Sequence, residues 1–259
     1  MTYDKLKISV EDNVAWISIN NPPVNALSSN ILLQIQAAVI EQQQNEIVRV
    51  IIISGEGSNF AAGADIKEIE NVFDPKEGEQ MCLKAHSVVN TITDGKIPVI
   101  AAVNGYCLGG GNELAMACHI RIATDKARFG QPEINIGIVP GLGGSQTFTR
   151  IVGKSNALEF LLTGDLMSSQ KAKEIGLVNF VVPEADLKKQ VMGLAKKIAS
   201  KSKVTVSKIL EAVRLGLDMK WADSLKMEAK CFGEIMATED KKEGIKAFFE
   251  KRAPRFSDK

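Results

Sequence analysis

Histidine and closely spaced cysteine, which most protein metal centres and many nucleophilic sites require, are scarce in this sequence. Only two histidines occur in 259 residues, and the four cysteines form no CxxC pair and no Cys/His cluster. Zinc sites and thiol–disulfide motifs depend on such spacings. Ser145 is not part of a G-x-S-x-G elbow, which argues against a serine nucleophile. The sequence therefore predicts neither a metal site nor Ser-His catalysis.

Excess charge of one sign and long apolar runs are also missing. Lys+Arg 32 against Asp+Glu 31 gives a formal net charge of +1, so there is no general electrostatic footprint for nucleic acid or an anionic membrane. No apolar run reaches the ~20 residues of a membrane-spanning helix. Residues 1–5 resemble neither a signal peptide nor a transit peptide, so we expect a cytoplasmic protein.

Short apolar strands and helices alternate through the first three quarters of the chain. Strands on either side of Glu11-Asp12-Asn13 predict a hairpin, and Ser28 or Ser29 is a candidate cap for a helix ending near Gln44. This alternation indicates an α/β arrangement with crossover connections. The further predicted strands cover 48–53, 98–103 and 120–123.

The last quarter of the chain has a different pattern. Apolar residues recur at helical spacing near 186–200, 203–217, 221–237 and 240–251. We therefore expect a mixed core over residues 1–195 and a helical C-terminal region over residues 196–259. Trp221, Phe232, Phe248 and Phe249 in the later helices are interpreted as core or subunit-interface residues.

Two loops rich in small residues are candidates for binding negative charge. The first covers residues 61–67, and the second runs from Gly105 to Glu113 and opens a helix through Ala117. Free N–H groups at a helix N-terminus attract anions, and one N–H from each loop aimed at one point would form an oxyanion hole. Neither loop has the glycine order of a nucleotide-binding fingerprint. Taken alone, both loops are more simply interpreted as ordinary tight turns between a strand and a helix.

Two glutamates, Glu113 and Glu133, are candidates for acid–base catalysis. Glu113 lies just inside the helix that the second loop opens, and Glu133 follows Pro132 in a predicted loop. Adding water to a double bond needs one group to take a proton from water and another to deliver a proton to carbon. Partial burial would raise both pKa values towards the working pH. On pattern alone, a helix-terminal charge and a solvated loop residue are simpler interpretations.

Three motifs together resemble the enoyl-CoA hydratases of the crotonase superfamily. They cover 60–68, then 98–105 with 109–115, then 129–133 followed by Gly137, Pro140-Gly141 and Gly143-Gly144. The resemblance extends in order and length over nearly the whole chain. It implies a spiral of repeated β-β-α units with a helical C-terminal region used in trimer assembly, and trimers that commonly stack into hexamers.

The resemblance also implies a role for individual residues. The backbone N–H groups of Ala64 and Gly110 match the oxyanion hole. Glu113 and Glu133 match the acids that hold the water, Glu133 being the one that exchanges the α proton. The substrate-binding positions that it implies are Ala26, Ala62, Ala64, Asp65, Ile66, Lys67, Gly110 and Gly141, with Lys67 either paired with a phosphate or solvated. Coenzyme A enters as part of the acyl-CoA substrate, and no separate cofactor is expected.

Other functions of the same fold remain as alternatives. Family members that isomerise enoyl-CoA commonly keep only the second acid, so Glu113 favours hydration over isomerisation. A non-enzymatic RNA-associated protein is disfavoured by the balanced charge. His119 stands where the family often has an acid and is interpreted as a packed histidine. Asn112 either tunes the geometry of its tight loop or simply fits it.

Overall fold

The computed structural model describes residues 3–259, so Met1 and Thr2, which contribute to the predicted cytoplasmic location, lie outside it. Two sheets form the core of the chain. The larger has six strands in the order β1 (Leu6–Glu11), β2 (Val14–Ile19), β3 (Val50–Gly55), β4 (Val99–Val103), β6 (Ile120–Thr124) and β9 (Phe180–Val182). The smaller has β5 (Tyr106–Leu108), β7 (Arg128–Gly130) and β8 (Met167–Ser168).

Residues 3–259 contain ten α-helices, six of which lie between strands in the chain order. The first three are α1 (Ser29–Gln44), α2 (Pro75–Thr93) and α3 (Gly110–Ala117). The next three are α4 (Gly144–Val152), α5 (Lys154–Thr163) and α6 (Ser169–Glu174). The last four are α7 (Leu187–Ala199), α8 (Lys203–Gly216), α9 (Trp221–Met236) and α10 (Glu239–Phe249). Short 3₁₀ helices cover Ile66–Glu68, Pro132–Ile136 and Glu184–Asp186. None of the helices in the described chain combines the length and apolar character that crossing a bilayer needs.

The pairing of the strands confirms the predicted spiral of β-β-α units. β1 and β2 form the predicted antiparallel hairpin, while β2, β3, β4, β6 and β9 run parallel. The chain passes from β4 to β5 and from β6 to β7, so these two turns of the spiral each add one strand to each sheet. Helix α1 begins as predicted, because the Ser28 hydroxyl accepts a hydrogen bond from the Ile31 N–H at 3.3 Å.

The larger sheet is apolar on both faces because both are covered. On β3, Ile51 and Ile53 pack in the cluster that includes α1, α2 and α3, whereas Val50 and Ile52 pack against α7. Side chains of a strand alternate between the two faces, and strands buried on both faces are continuously apolar. This explains why the run from Val50 to Ile53 is apolar without alternation.

The prediction of a loop around Glu133 was wrong. Residues Pro132–Ile136 form a 3₁₀ helix, which ends at Gly137 in the left-handed conformation. Pro132 begins this helix, where its missing N–H has no intrahelical acceptor to lose. The sequence pattern indicated a break before Glu133 but could not show the helical turn that follows it.

Candidate active site

The register of the smaller sheet determines which residues meet. β5 and β7 are parallel neighbours with Leu108 opposite Gly130, so the residues that follow the two strands leave the sheet side by side. Gly109 donates its N–H to the Gly130 carbonyl at 2.9 Å. Helix α3, which carries Glu113, therefore starts next to the 3₁₀ helix that carries Glu133. The two candidate acids are 20 residues apart in sequence and share one cleft.

Glycine is required at position 109 by both its backbone and its neighbour. Its φ of +49° lies in the left-handed region, which disfavours a side chain. A Cβ there would also lie 3.0 Å from Glu133 Oε1. The turn that opens α3 thus packs directly against the Glu133 carboxyl group.

Glu113 is buried, with 3% of its surface exposed, and its carboxyl group is held by a second helix. Its Oε1 accepts hydrogen bonds from the Leu142 N–H at 2.8 Å and the Gly144 N–H at 2.6 Å. These N–H groups lie at the start of α4, where no intrahelical acceptor is available and a negative charge is favoured. A side chain at Gly144 would collide with this group, since a Cβ would lie 2.7 Å from Glu113 Oε1.

The pKa values of both glutamates are raised. Burial, together with the charge of the nearby Glu133 carboxylate, raises the pKa of Glu113 to about 7. The hydrogen bonds from the two backbone N–H groups act in the opposite direction and lower it. Burial also raises the pKa of Glu133. Desolvation and like charge both disfavour the ionised form, so the pair readily retains a proton near neutral pH. One acid and one base in the same cleft can transfer protons in opposite directions.

Glu133 has two unlike oxygens. Its Oε1 accepts a hydrogen bond from Gln131 Nε2 at 3.2 Å. Its Oε2 is buried and has no hydrogen-bond partner among the residues described. An unpaired buried oxygen is unfavourable in a purely structural residue and is consistent with a group that exchanges protons with a ligand.

The predicted oxyanion-hole residues also meet. A Cβ built on Gly110 would lie 3.5 Å from the Ala64 backbone nitrogen, which places the two loops in direct contact. Neither the Ala64 nor the Gly110 N–H has an acceptor within residues 3–259. Gly110 is the first residue of α3, so its N–H is free for a ligand.

The loop around Ala64 is fixed by the segment that contains Ala26. Ala62 donates its N–H to the Val24 carbonyl at 3.1 Å, and Asp65 donates to Leu27 at 2.9 Å. Asp65 also caps the 3₁₀ helix Ile66–Glu68 through the Lys67 N–H. Ala26 lies within this paired segment, while the side chains of Ile66 and Lys67 are exposed. The predicted binding residues of the first loop thus lie beside Ala26 on neighbouring, hydrogen-bonded segments.

Gly141 lies next to the residues that bind Glu113. A Cβ there would lie 3.2 Å from Cys82 Sγ, so α2 lies against the loop before α4. The Cys82 thiol has its pKa raised by burial and by the Glu113 charge. Sequence reasoning missed Cys82 and the amides of Leu142 and Gly144. The Gly143-Gly144 pair was the only available signal, and it does not identify the acid that it approaches.

His119 is packed as predicted. Its Nδ1 accepts a hydrogen bond from the Val99 N–H at 3.0 Å, and burial lowers its pKa to about 4. It lies beyond the C-terminus of α3, whereas Glu113 lies in the first turn. The histidine is therefore neutral and holds α3 against β4 at the end away from the cleft.

Comparison with known proteins identifies the family of the chain. The family model "Enoyl-CoA hydratase/isomerase" matches residues 9–259. The chain is 42% identical over 252 residues to a probable enoyl-CoA hydratase of Bacillus subtilis, covering 97% of this chain and 98% of that protein. It is 43% identical over 250 residues to the mitochondrial enoyl-CoA hydratase of Pongo abelii, covering 95% and 84%. Because relatives include a mitochondrial protein, the cytoplasmic location stays a prediction.

A solved structure resembles the whole fold. An enoyl-CoA hydratase subunit from Geobacillus kaustophilus superposes with a TM-score of 0.94 at 41% identity, covering 99% of each chain. Both the two-sheet core and the C-terminal helices are thus those of crotonases. The chain belongs to the enoyl-CoA hydratase/isomerase family, and within it to the enoyl-CoA hydratases of the crotonase superfamily.

Proposed function

We propose that this chain catalyses the reversible syn addition of water to a 2-trans-enoyl-CoA, which gives a 3-hydroxyacyl-CoA. The observation that carries the proposal is the proximity of Glu113 and Glu133, one buried and one partly buried acid, both with raised pKa values, beside the start of α3. Glu113 and Glu133 hold the water between them. Glu113 takes a proton from it, and the hydroxyl oxygen bonds to the β carbon.

The remaining steps form the enolate of the thioester and then protonate its α carbon. The π electrons of the double bond move towards the thioester oxygen, which accepts hydrogen bonds from the Ala64 and Gly110 N–H groups. Glu133 then gives its proton to the α carbon as the enolate collapses. Because both acids lie on one side of the substrate, the hydroxyl group and the hydrogen are added to the same face of the double bond. Fixed donors aimed at a developing oxyanion are typically the largest single catalytic effect.

The coenzyme A part of the substrate is proposed to lie along the two paired segments. Ala26 belongs to one of them, and Ala62, Ala64, Asp65, Ile66 and Lys67 belong to the other or follow it directly. The Lys67 ammonium is exposed and positioned to pair with a phosphate of coenzyme A. Gly141 lines the opposite side of the cleft and helps to position the water.

The assay that tests this function follows the absorbance of the enoyl thioester with crotonyl-CoA and with longer enoyl-CoA substrates. The band is expected to fall as the double bond is hydrated, and mass spectrometry should show the gain of one water. A product of unchanged mass would instead identify an isomerase. No loss of the band at high enzyme concentration, across several chain lengths, would count against both the substrate class and the reaction.

The Gly110→Ala variant tests the oxyanion hole. The added methyl would make only ordinary contacts, 3.5 Å from the Ala64 nitrogen and 3.9 Å from Leu27 Cδ1, so the fold should be retained. The methyl would lie against the Ala64 nitrogen and crowd an oxygen bound there, and loss of one such donor costs about 10²–10³-fold in kcat. We expect a fall of that size in the hydration of crotonyl-CoA. Gly193→Ala makes the same change on α7 in open space and should leave kcat unchanged.

The helical region 196–259 is proposed to assemble the chain into a homotrimer or homohexamer. Helices α8, α9 and α10 leave large apolar side chains exposed, including Leu217 and Trp221 at 77% and Phe248 at 78%. A patch of this kind on a soluble monomer marks an interaction surface.

We expect light scattering to give the mass of three or six 28.1 kDa chains. Replacing Phe248 and Phe249 together by serine should shift the protein to smaller species, because it removes apolar area that the interface would bury. Phe73→Ser changes an equally exposed phenylalanine before α2 and should keep the wild-type mass. A wild-type protein that is monomeric at high concentration would refute the assembly.

A further inference from the structure

Asn112 is a fully buried amide whose two polar atoms are unequally satisfied. Its side chain has 0% exposure, and its Nδ2 donates a hydrogen bond to Gln131 Oε1 at 2.8 Å. Its Oδ1 has no partner among the residues described. A buried acceptor without a partner destabilises a folded protein, whereas an apolar side chain would not. Packing alone therefore does not favour asparagine here, and its single hydrogen bond indicates what it contributes.

That hydrogen bond determines the orientation of the next amide. Gln131 is also buried, with 1% exposure. An amide has one end that only accepts and one that only donates. With the Asn112 NH₂ group facing Gln131, the oxygen of Gln131 points to Asn112 and its NH₂ group points to Glu133. The opposite orientation would place two NH₂ groups against each other and the Gln131 oxygen against the carboxyl group.

We propose that Asn112 is a positioning residue that locks Gln131 as a donor to Glu133 Oε1 and so leaves Oε2 as the oxygen that exchanges the substrate's α proton. This inference rests on the proposed function, in which Glu133 is the acid at the α carbon. The bonds form a chain from α3 to the 3₁₀ helix, so α3 supplies both Glu113 and the orientation of Glu133. The space for Gln131 is provided by Gly144, where a Cβ would lie 2.6 Å from Nε2.

The first test uses Asn112→Leu and Asn112→Asp. Leucine removes the hydrogen bond that orients the Gln131 amide. Aspartate reverses that orientation, because its carboxylate accepts a hydrogen bond from the Gln131 NH₂ group and so turns the Gln131 oxygen towards Glu133. We expect kcat for crotonyl-CoA to fall about 10–100-fold in both, with KM within about twofold. Loss of the Gln131 donor disfavours the charged form of Glu133, which already lies beside Glu113. The pKa that Glu133 contributes to the kcat–pH profile should therefore rise by about one pH unit, with the larger rise in Asn112→Asp.

The second test asks whether Asn112 acts through Gln131. If it does, Gln131→Met and the double variant Asn112→Leu/Gln131→Met should have the same kcat, because neighbours in one network are not additive. Multiplying effects, or wild-type kcat and pH profile in Asn112→Leu, would overturn the proposal. If Asn112→Leu does not fold, an unshifted profile in Gln131→Met overturns it equally, and a shifted profile supports it.

Exchange of the α proton of butyryl-CoA with deuterium oxide separates this inference from the hydration proposal. A wild-type protein that exchanges this proton without hydrating crotonyl-CoA would refute hydration, and the same variants would still test the lock by their exchange rates. Wild-type hydration with unchanged exchange in both Asn112 variants would refute the lock alone.

Discussion

The Glu113→Gln variant is expected to lower kcat for hydration of crotonyl-CoA by roughly 10²–10⁴-fold, the usual contribution of a positioned acid or base. Glutamine keeps the acceptor that the Leu142 and Gly144 N–H groups bind, so the geometry of the cleft should survive. It cannot take a proton from water. Binding of coenzyme A thioesters should change little, and calorimetric titration with a saturated acyl-CoA would measure it.

The same variant is expected to become more stable than the wild type as the pH rises. The pKa of Glu113 in the folded chain is about 7, above its ordinary value of 4.5, so the folded state binds more protons than the unfolded state between these values. The free energy of unfolding of the wild type therefore falls as the pH rises through this window. Each pKa unit is worth about 1.4 kcal/mol, so the gain from Glu113→Gln should grow by up to about 3 kcal/mol between pH 4.5 and 8.

Urea unfolding of both proteins at pH 5 and pH 8 measures this change. Glu70→Gln replaces an exposed glutamate and should give the same small difference at both pH values. A Glu113→Gln variant whose stability relative to wild type does not depend on pH would show that the carboxyl group is not held protonated by its surroundings. Native turnover in this variant would remove Glu113 from the mechanism.

The Glu133→Gln variant is expected to lose about 10²–10⁴-fold in kcat as well, but with a different signature. The amide can still accept from Gln131 through its oxygen, while an NH₂ group replaces the unpartnered Oε2. It can therefore no longer carry the proton that the α carbon receives. We expect exchange of the α proton of butyryl-CoA with deuterium oxide to be lost here and largely retained in Glu113→Gln.

Nuclear magnetic resonance of the recovered butyryl-CoA quantifies that exchange, with Glu70→Gln again as the matched change. Equal loss of exchange in Glu113→Gln and Glu133→Gln would mean that the acids act as one unit and that the separate roles are wrong. Rapid exchange in Glu133→Gln would assign the α proton to another group.

Most helices and strands of this fold could be predicted from the sequence, because the local residue patterns agree with the burial found in the structure. The hairpin around Asp12, the cap at Ser28 and the four C-terminal helices depend on turn residues, capping and helical spacing, which act within a few residues. The helical turn at Glu133 was missed because a proline predicts a break but does not specify the conformation after it. The family motifs identified Glu113 and Glu133 as candidates, since they preserve these residue types at these positions.

The partners of the two acids were beyond any local pattern. Glu113 is bound by N–H groups 29 and 31 residues away, and Gln131 reaches Asn112 across 19 residues. Hydrogen bonds between residues this far apart in the sequence form only when the register of the sheet brings their helices and strands together. The raised pKa values have the same origin, because desolvation depends on everything that surrounds a carboxyl group and not on its neighbours in the chain.

By itself the amino-acid sequence indicated the α/β alternation of strands and helices, the helical end of the chain and, through the family motifs, the two glutamates that are the candidate acids. Tertiary structure alone decided that α4 holds Glu113, that Glu133 has one bound and one free oxygen, and that Ala64 meets Gly110. The physical reason is that strand and helix preferences are local, whereas the parallel pairing of β5 with β7 sets which helix ends face each other and how far each acid is removed from water.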